Sequence, residues 1–227
     1  MAIMKFSGIG ISAMAGAVPS RVIDNLKYTE FFPEDQVKEV VEKVGVYERR
    51  FADEQTCSSD LCFAAAQKLI IDNQIDRSEI DLLVFISQTQ DYRMPATACT
   101  LQHRLGLSNS CIAFDVNLGC SAFIYGMSIV YSMLQTGSIR KALILDGETR
   151  SKVYGPRDRR SAFIFGDGGI AALVEKDGKY GETTLSLNTD GSRADLIMIK
   201  AGGYRHMSTP ETLKERVVVM QLSLDLI

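Results

Sequence analysis

Along most of this chain, short continuous apolar runs alternate with longer segments whose apolar residues recur every three or four positions. The first texture is that of strands buried on both faces and the second that of helices, so their alternation predicts an α/β layered sheet. Ile3–Met14 opens the chain as strand. Arg21–Gly45 is more polar, and its second half reads as a helix because Val37, Val40, Val41 and Val44 recur at helical spacing. Ser58–Ile71 reads as a second helix, capped by Ser58 or Ser59 and stopped at Asp72-Asn73. DLLVFIS (Asp81–Ser87) has the character of a strand buried on both faces. Ala96–Leu105, ended by Gly106, reads as a helix, Cys111–Val116 as the next buried strand, and Cys120 to Gly137 as a helix with a glycine terminator. Lys141–Asp146 and Gly169–Glu175 supply two further strands around a basic loop. Beyond Lys176 the chain becomes Gly- and Thr-rich, which predicts a β-containing excursion.

Val116–Ile139 contains no charged residue and is long enough to raise the question of a membrane span. Asn117, Ser121, Ser128, Ser132, Gln135 and Thr136 are scattered through it, and its first residues belong to a strand and turn. It is therefore read as the central helix of a layered domain. The N-terminus lacks the basic, apolar and cleavage-site order of a secretory signal, and Gly8, Gly10, Gly16 and Pro19 interrupt it, so a cytoplasmic protein is expected. At 227 residues, 46% of them apolar, the chain is long enough for one large domain or two small ones. Its 25 Lys and Arg against 28 Asp and Glu leave a net charge of −3, without the basic excess by which nucleic-acid binders displace counterions.

Gly8 to Ala13 fits the loose dinucleotide fingerprint G-x-G-x-x-A, but Gly16 and Pro19 fall within the first turns of the helix that should bind phosphate. Gly166 to Gly169 lacks the Lys-Ser/Thr of a P-loop and is expected to allow a tight turn between packed elements. His103 lies among Gln102 and Arg104, where a surface or packing role is expected. Five cysteines without framework spacing and only two histidines leave no zinc cluster, so reduced thiols are expected, with Cys62, Cys99 and Cys111 buried.

Cys120 differs from the other cysteines in its place. It follows a buried strand directly and would occupy the first turn of a helix, with Gly119 permitting a sharp turn, as in a nucleophile elbow. The positive end of a helix dipole there would favour the thiolate, which is the reactive form of the side chain. A small buried core residue remains the alternative on these grounds.

Several stretches stand in an order that resembles a known family. They are Pro95–Gln102 (PATACTLQ) with Leu105-Gly106, Ala113–Phe123 (AFDVNLGCSAF), Gly137–Leu143 (GSIRKAL), Asp158-Arg159 and Phe165–Gly168 (FGDG). Val22, Asn25, Gly45-Val46 and Glu48–Arg50 fit the same pattern. Together they are similar to β-ketoacyl-acyl-carrier-protein synthase III, one of the thiolase-fold condensing enzymes, over nearly all of this chain but only the first part of such an enzyme. The resemblance implies an α/β, thiolase-like layered fold. Residues 1–176 would form its N-terminal half, a mixed sheet with a buried nucleophile helix, and residues 177–227 a β-rich excursion and the truncated start of the second half.

The resemblance also implies chemistry. Cys120 would accept the acyl group of an acyl-CoA or acyl carrier protein, its backbone N–H contributing to an oxyanion hole, and malonyl-carrier protein would then decarboxylate and condense with the acyl-enzyme. Arg150 to Arg160, with five Lys and Arg in eleven residues, sits where the family admits CoA and docks its acidic carrier protein, a solvated loop being the alternative. Arg159 and Lys43 would bind substrate. Met94 matches a position projected across a dimer interface into the neighbour's acyl pocket. Glu39 stands where the family commonly stacks a tryptophan on adenine, which leaves a carrier-protein donor open beside acyl-CoA. No cofactor is implied, because the acyl-CoA or acyl carrier protein is a substrate. A homodimer is expected, with no nucleic-acid or membrane partner. Family members are ordinarily half as long again, and the additional portion carries a catalytic histidine, an asparagine and a second oxyanion-hole glycine. A chain stopping at Gln221–Ile227 is accordingly expected to be truncated, a natural fragment, or paired with another chain. A structural half without catalysis, and an acyltransferase that uses Cys120 without decarboxylation, remain as alternatives.

Overall fold

The computed structural model describes residues 2–159, 161–214 and 221–222. Arg160 of the basic segment and residues 223–227 of the terminal stretch lie outside the described residues. In chain order the elements are β1 (Ala2–Ser7), β2 (Ile9–Ala17), β3 (Arg21–Asp24), α1 (Glu34–Val44), β4 (Glu48–Phe51) and α2 (Ser58–Asp72). Next come β5 (Leu82–Ile86), α3 (Thr97–Arg104), β6 (Ile112–Val116), α4 (Ala122–Gln135), β7 (Lys141–Thr149), β8 (Asp167–Lys176) and β9 (Glu182–Leu187). The short elements β10 (Ile197–Met198), α5 (Pro210–Lys214) and β11 (Gln221–Leu222) follow. Two compact units result: Met1–Val18, Asp53–Glu148 and Gly168–Asn188 form the first, and Pro19–Ala52, Thr149–Asp167 and Thr189–Ile227 the second.

The first unit is built on a five-stranded mixed sheet in the order β2-β8-β7-β5-β6, with β5 parallel to both β6 and β7, and β2 antiparallel to β8. All five residues of β5 are buried, as the DLLVFIS pattern predicts. Successive side chains of a strand point to opposite faces, so Leu83 and Phe85 join Leu143 and Leu145 in one core with Ala65, Ala66 and Leu69 of α2 and Leu101 of α3. Leu82, Val84 and Ile86 join Ala142 and Ile144 in the other, against Val130, Tyr131 and Leu134 of α4. Each large side chain buried in this way contributes about 1.5–3 kcal/mol. The polar residues that argued against a membrane span are accommodated on α4 itself: Ser128 Oγ donates to the Tyr125 carbonyl at 2.7 Å, and Ser132 Oγ to that of Ser128 at 2.7 Å. Among the described residues no helix is long and apolar enough to cross a membrane.

Several local expectations are corrected. Ile3–Met14 is two strands, because Gly8 at φ +65° breaks the run; β1 pairs with β9 and β2 with β8. The dinucleotide-like Gly8 to Ala13 thus enters a strand and no helix. Ser58 and Ser59 are not the cap of α2. Cys57 holds that position, its backbone N–H donating to Asp60 Oδ2 at 2.9 Å, while Ser58 Oγ donates to the Thr89 carbonyl and Ser59 Oγ to Asp91. Cys111–Val116 is not a buried strand: β6 is the edge of the five-stranded sheet and only partly covered. Cys62 is buried as expected, but Cys111 is half-buried and Cys99 exposed. Ala98, Leu101 and Leu105 form the buried face of α3, and Cys99 lies a helical step away from it.

The second unit pairs β3 with β4 antiparallel and packs α1 through Val37 and Val41 against Tyr154, Ala162 and Phe163. Arg49 is buried there. Its Nε donates to Asn25 Oδ1 at 2.6 Å, one Nη donates to the Phe165 carbonyl at 3.1 Å, and the guanidinium lies 4.8 Å from the Phe51 ring centre. Asp167 accepts from the Ala52 and Ser151 backbone N–H groups at 2.7 and 2.8 Å and from Ser151 Oγ at 2.5 Å.

The glycines of Gly166–Gly169 and β7 serve close packing more than turning. In the first unit a Cβ on Gly169 would sit 2.6 Å from the Cys62 backbone nitrogen and 2.8 Å from the Leu61 carbonyl carbon, whereas on Gly126 of α4 it would meet chiefly the Ile86 Cδ1 at 2.5 Å. A backbone cannot give way as a side-chain tip can. Gly169→Ala is expected to lose about 1–3 kcal/mol. Gly126→Ala, which gains about 1 kcal/mol of helix propensity, is expected to lose less. Thermal unfolding followed by circular dichroism ranks the two.

Asp146 is the exception in the otherwise apolar run of β7. Burial, with the Glu148 charge second, pushes its carboxyl up to about 6 from an ordinary 3.8. The folded state therefore holds this proton more tightly than the unfolded chain, so the group's contribution to stability is fullest below about pH 4 and is lost as pH rises through 6. Asp146→Asn is expected to raise stability by about 1–2 kcal/mol at pH 8 and to change little at pH 4, measured by urea unfolding at both pH values.

Candidate active site

The direction of the chain fixes where a site can form. From β5 the chain passes through α3 to β6 on one side, and from β6 through α4 back across β5 to β7 on the other. Right-handed crossovers running in opposite directions place their helices on opposite faces of the sheet, which is where the two cores put α3 and α4. The carboxyl ends of β5 and β6 thus flank a topological switch point, the crevice in which open α/β sheets bind ligands.

Cys120 stands in the loop leaving β6 at that crevice, and its side chain is exposed. It is not in the first turn of the helix. The Ala122 N–H donates to the Gly119 carbonyl at 2.8 Å, closing a turn that contains Cys120 and Ser121, and the helical ladder starts only with Tyr125 N–H on the Ser121 carbonyl at 3.2 Å. Ser121 is the N-cap and makes no side-chain capping bond. The first N–H groups of α4 are left to other acceptors, and the positive end of the helix favours negative charge beside Cys120.

Polar groups at the ends of the neighbouring strands brace this loop. Glu148, at the end of β7, accepts from Gln88 N–H at 2.8 Å and from Thr89 Oγ1 at 2.7 Å. Gln88 lies against Gly119, where a Cβ would come within 3.2 Å of its amide oxygen. Asp115 of β6 accepts from the Thr97 and Ala98 N–H groups, both at 2.7 Å, and so ties the start of α3 to the strand that leads to Cys120. A cavity of about 460 Å³ opens beside the start of α4, lined by Phe123, the Gly16–Val18 end of β2, Asp146–Glu148 and Gly168–Ile170. The roles of Gln88, Asp115, Asp146 and Glu148 escape the sequence reading. The signal available was the pair of carboxylates in Asp146-Gly147-Glu148, where an apolar strand runs out.

Met94 lies in the β5–α3 connection, on the other side of the switch point, and is exposed. Arg159 and Lys43 belong to the second unit. There Arg159 Nη2 is 2.9 Å from Glu39 Oε2, and Glu39 and Lys43 are four residues apart on α1, so the three share one face. Arg157 of the same segment lies 5.3 Å from the Phe31 ring centre. His103 is exposed in the last turn of α3. Among the described residues no group of three or more His, Cys, Asp or Glu is arranged to hold a metal ion.

Comparison with known proteins connects this geometry to a family. Residues 114–191, which include the Cys120 loop, α4, β7 and β8, match the sequence profile of 3-oxoacyl-[acyl-carrier-protein (ACP)] synthase III. The β-ketoacyl-[acyl-carrier-protein] synthase III of Desulfitobacterium hafniense strain Y51 is 31% identical over 216 residues, 95% of this chain and 65% of that protein. Its counterpart in Fusobacterium nucleatum is 32% identical over 92% of this chain and 63% of its own. The crystal structure of a 3-oxoacyl-(acyl-carrier protein) synthase from Burkholderia xenovorans LB400 superposes with a TM-score of 0.92 at 33% identity, covering 100% of this chain and 66% of that one. The chain thus spans a little under two thirds of the relatives it matches. It belongs to the 3-oxoacyl-[acyl-carrier-protein] synthase III family and has that family's α/β, thiolase-like layered fold.

Proposed function

We propose that this chain is the nucleophile-bearing part of a 3-oxoacyl-acyl-carrier-protein synthase III-type condensing enzyme, an acyltransferase of fatty-acid or related biosynthesis. The observation that carries the proposal is the exposed Cys120, held in a braced turn at the switch point and within the stretch that matches the family. The Cys120 thiolate attacks the carbonyl carbon of an acyl thioester, the carbon–sulfur bond to the donor breaks, and the donor leaves as a thiol after taking up a proton. Backbone N–H groups at the Cys120 turn then stabilise the oxyanion. In the second half-reaction malonyl-carrier protein loses CO₂, the electron pair of the broken bond becomes an enolate, and that enolate attacks the acyl-enzyme to give a 3-oxoacyl product and free Cys120.

The thioester donor is acyl-CoA or acyl carrier protein, bound through Arg159 and Lys43, and the chemistry calls for no metal or organic cofactor. The chain acts in the cytoplasm as a homodimer. Support for the dimer comes from β6, a sheet edge carrying Ile112 at 41% exposure, with Met94 at 86% on the connection beside it. Met94 then helps to set acyl chain length in the neighbouring subunit.

Incubation with acetyl-CoA, longer acyl-CoAs and acyl carrier protein is expected to add one acyl group, seen by intact mass, and Cys120→Ala is expected to abolish the adduct. A chain that no thioester donor labels would refute the assignment.

A further inference from the structure

We propose that Glu39 is a specificity-determining residue of the donor site: its carboxylate competes with the phosphates of a nucleotide-bearing thioester for the Arg159 guanidinium, and so disfavours such donors relative to those with an uncharged arm. The inference rests on the reading of Arg159 and Lys43 as donor-binding residues. Among the described residues Arg159 has an ion-pair partner in Glu39 alone, at 2.9 Å, and Lys43, one helical turn further along α1, has none. A phosphate binding the Arg159 guanidinium must therefore displace the Glu39 carboxylate, which stands one helical turn from Lys43 on α1. Nothing else on α1 offsets this charge, since Glu34, Asp35, Glu39 and Glu42 outnumber Lys38 and Lys43, and Lys38 already faces Glu42 at 4.0 Å. Arg157, two residues before Arg159, is engaged over Phe31.

The pair is a latch and no permanent block. Its side chains are 44% and 71% exposed, and an ion pair that open to water is weak enough for a phosphate to displace. Neutralising Glu39 frees the guanidinium for the incoming phosphate and removes a like charge from its path. The expected gain is about 2- to 5-fold, the range spanned by one exposed ion pair. A donor arm without phosphate gains nothing.

Equilibrium binding of free coenzyme A and of pantetheine, measured by calorimetry on the whole chain, tests this apart from catalysis. Glu39→Gln is expected to tighten coenzyme A binding about 2- to 5-fold, to leave pantetheine unchanged, and to lose its advantage in an Arg159→Ala background and at high salt. Equal or weaker coenzyme A binding by Glu39→Gln overturns the proposal, as does a gain that survives removal of Arg159, or an absence of coenzyme A binding in both proteins. Acylation of Cys120 is a separate readout. If binding shifts as expected while no thioester labels Cys120, the condensing-enzyme assignment fails and the role of Glu39 stands; labelling without the shift has the reverse meaning.

Discussion

The burial of β5 on both faces is the constraint from which the first unit follows. A strand of five apolar residues with no water on either side needs a helical layer above and below it. Parallel neighbours on both sides require crossovers, and their fixed hand sends α3 to one face and α4 to the other. That divergence creates the crevice at the carboxyl ends of β5 and β6. The chain leaves β6 for α4 at the same place, so the residues of that connection, Cys120 among them, are delivered to the crevice by topology alone. Tight contacts at Gly147 and Gly169, where α2 comes against β7 and β8, then fix the layer on the opposite face.

A different solution organises the second unit. Arg49 is 4% exposed and has no carboxylate partner among the described residues; its charge is met by the Phe165 carbonyl, the Asn25 amide oxygen and the faces of Tyr28, Phe51 and Tyr154. Asn25 itself donates to the Val46 and Phe163 carbonyls. Buried cations are costly unless so enclosed. The enclosure fastens the Tyr154–Phe165 stretch to the β3–β4 pair, and with it the segment that holds Arg159 against α1. A basic loop that composition alone leaves as a solvated excursion is thereby anchored at both ends, and Asp167 adds a second fastening.

The elements that sequence periodicity made legible are those whose burial is one-sided or complete: β5, α2, α3, α4 and the Val37–Val41 face of α1. Strand breaks were less legible, since Gly8 interrupts Ile3–Met14 by conformation and leaves the apolar pattern intact. Edge position was not legible at all, because Cys111–Val116 carries a core strand's residues in a strand paired on one side only. The candidate site divides in the same manner. Cys120 could be found from its place between a strand and a helix, whereas Glu148 comes from another strand, and only the three-dimensional register of β5, β6 and β7 brings it to Gln88 and Thr89.

The position of Cys120 ahead of α4, and not within it, bears on how such a site works. A side chain in the first turn of a helix is held by the ladder and shares its rotamer limits. One in a preceding turn, with its side chain exposed, is set by the Gly119–Ala122 bond and by the packing of Gln88 on Gly119. The uncapped N–H groups of α4 remain available to an acceptor near the sulfur. The sequence Gly-Cys-Ser-Ala therefore separates two features, an exposed thiol on a tight turn and a helix end that favours negative charge, and the crevice between β5 and β6 is where the two meet.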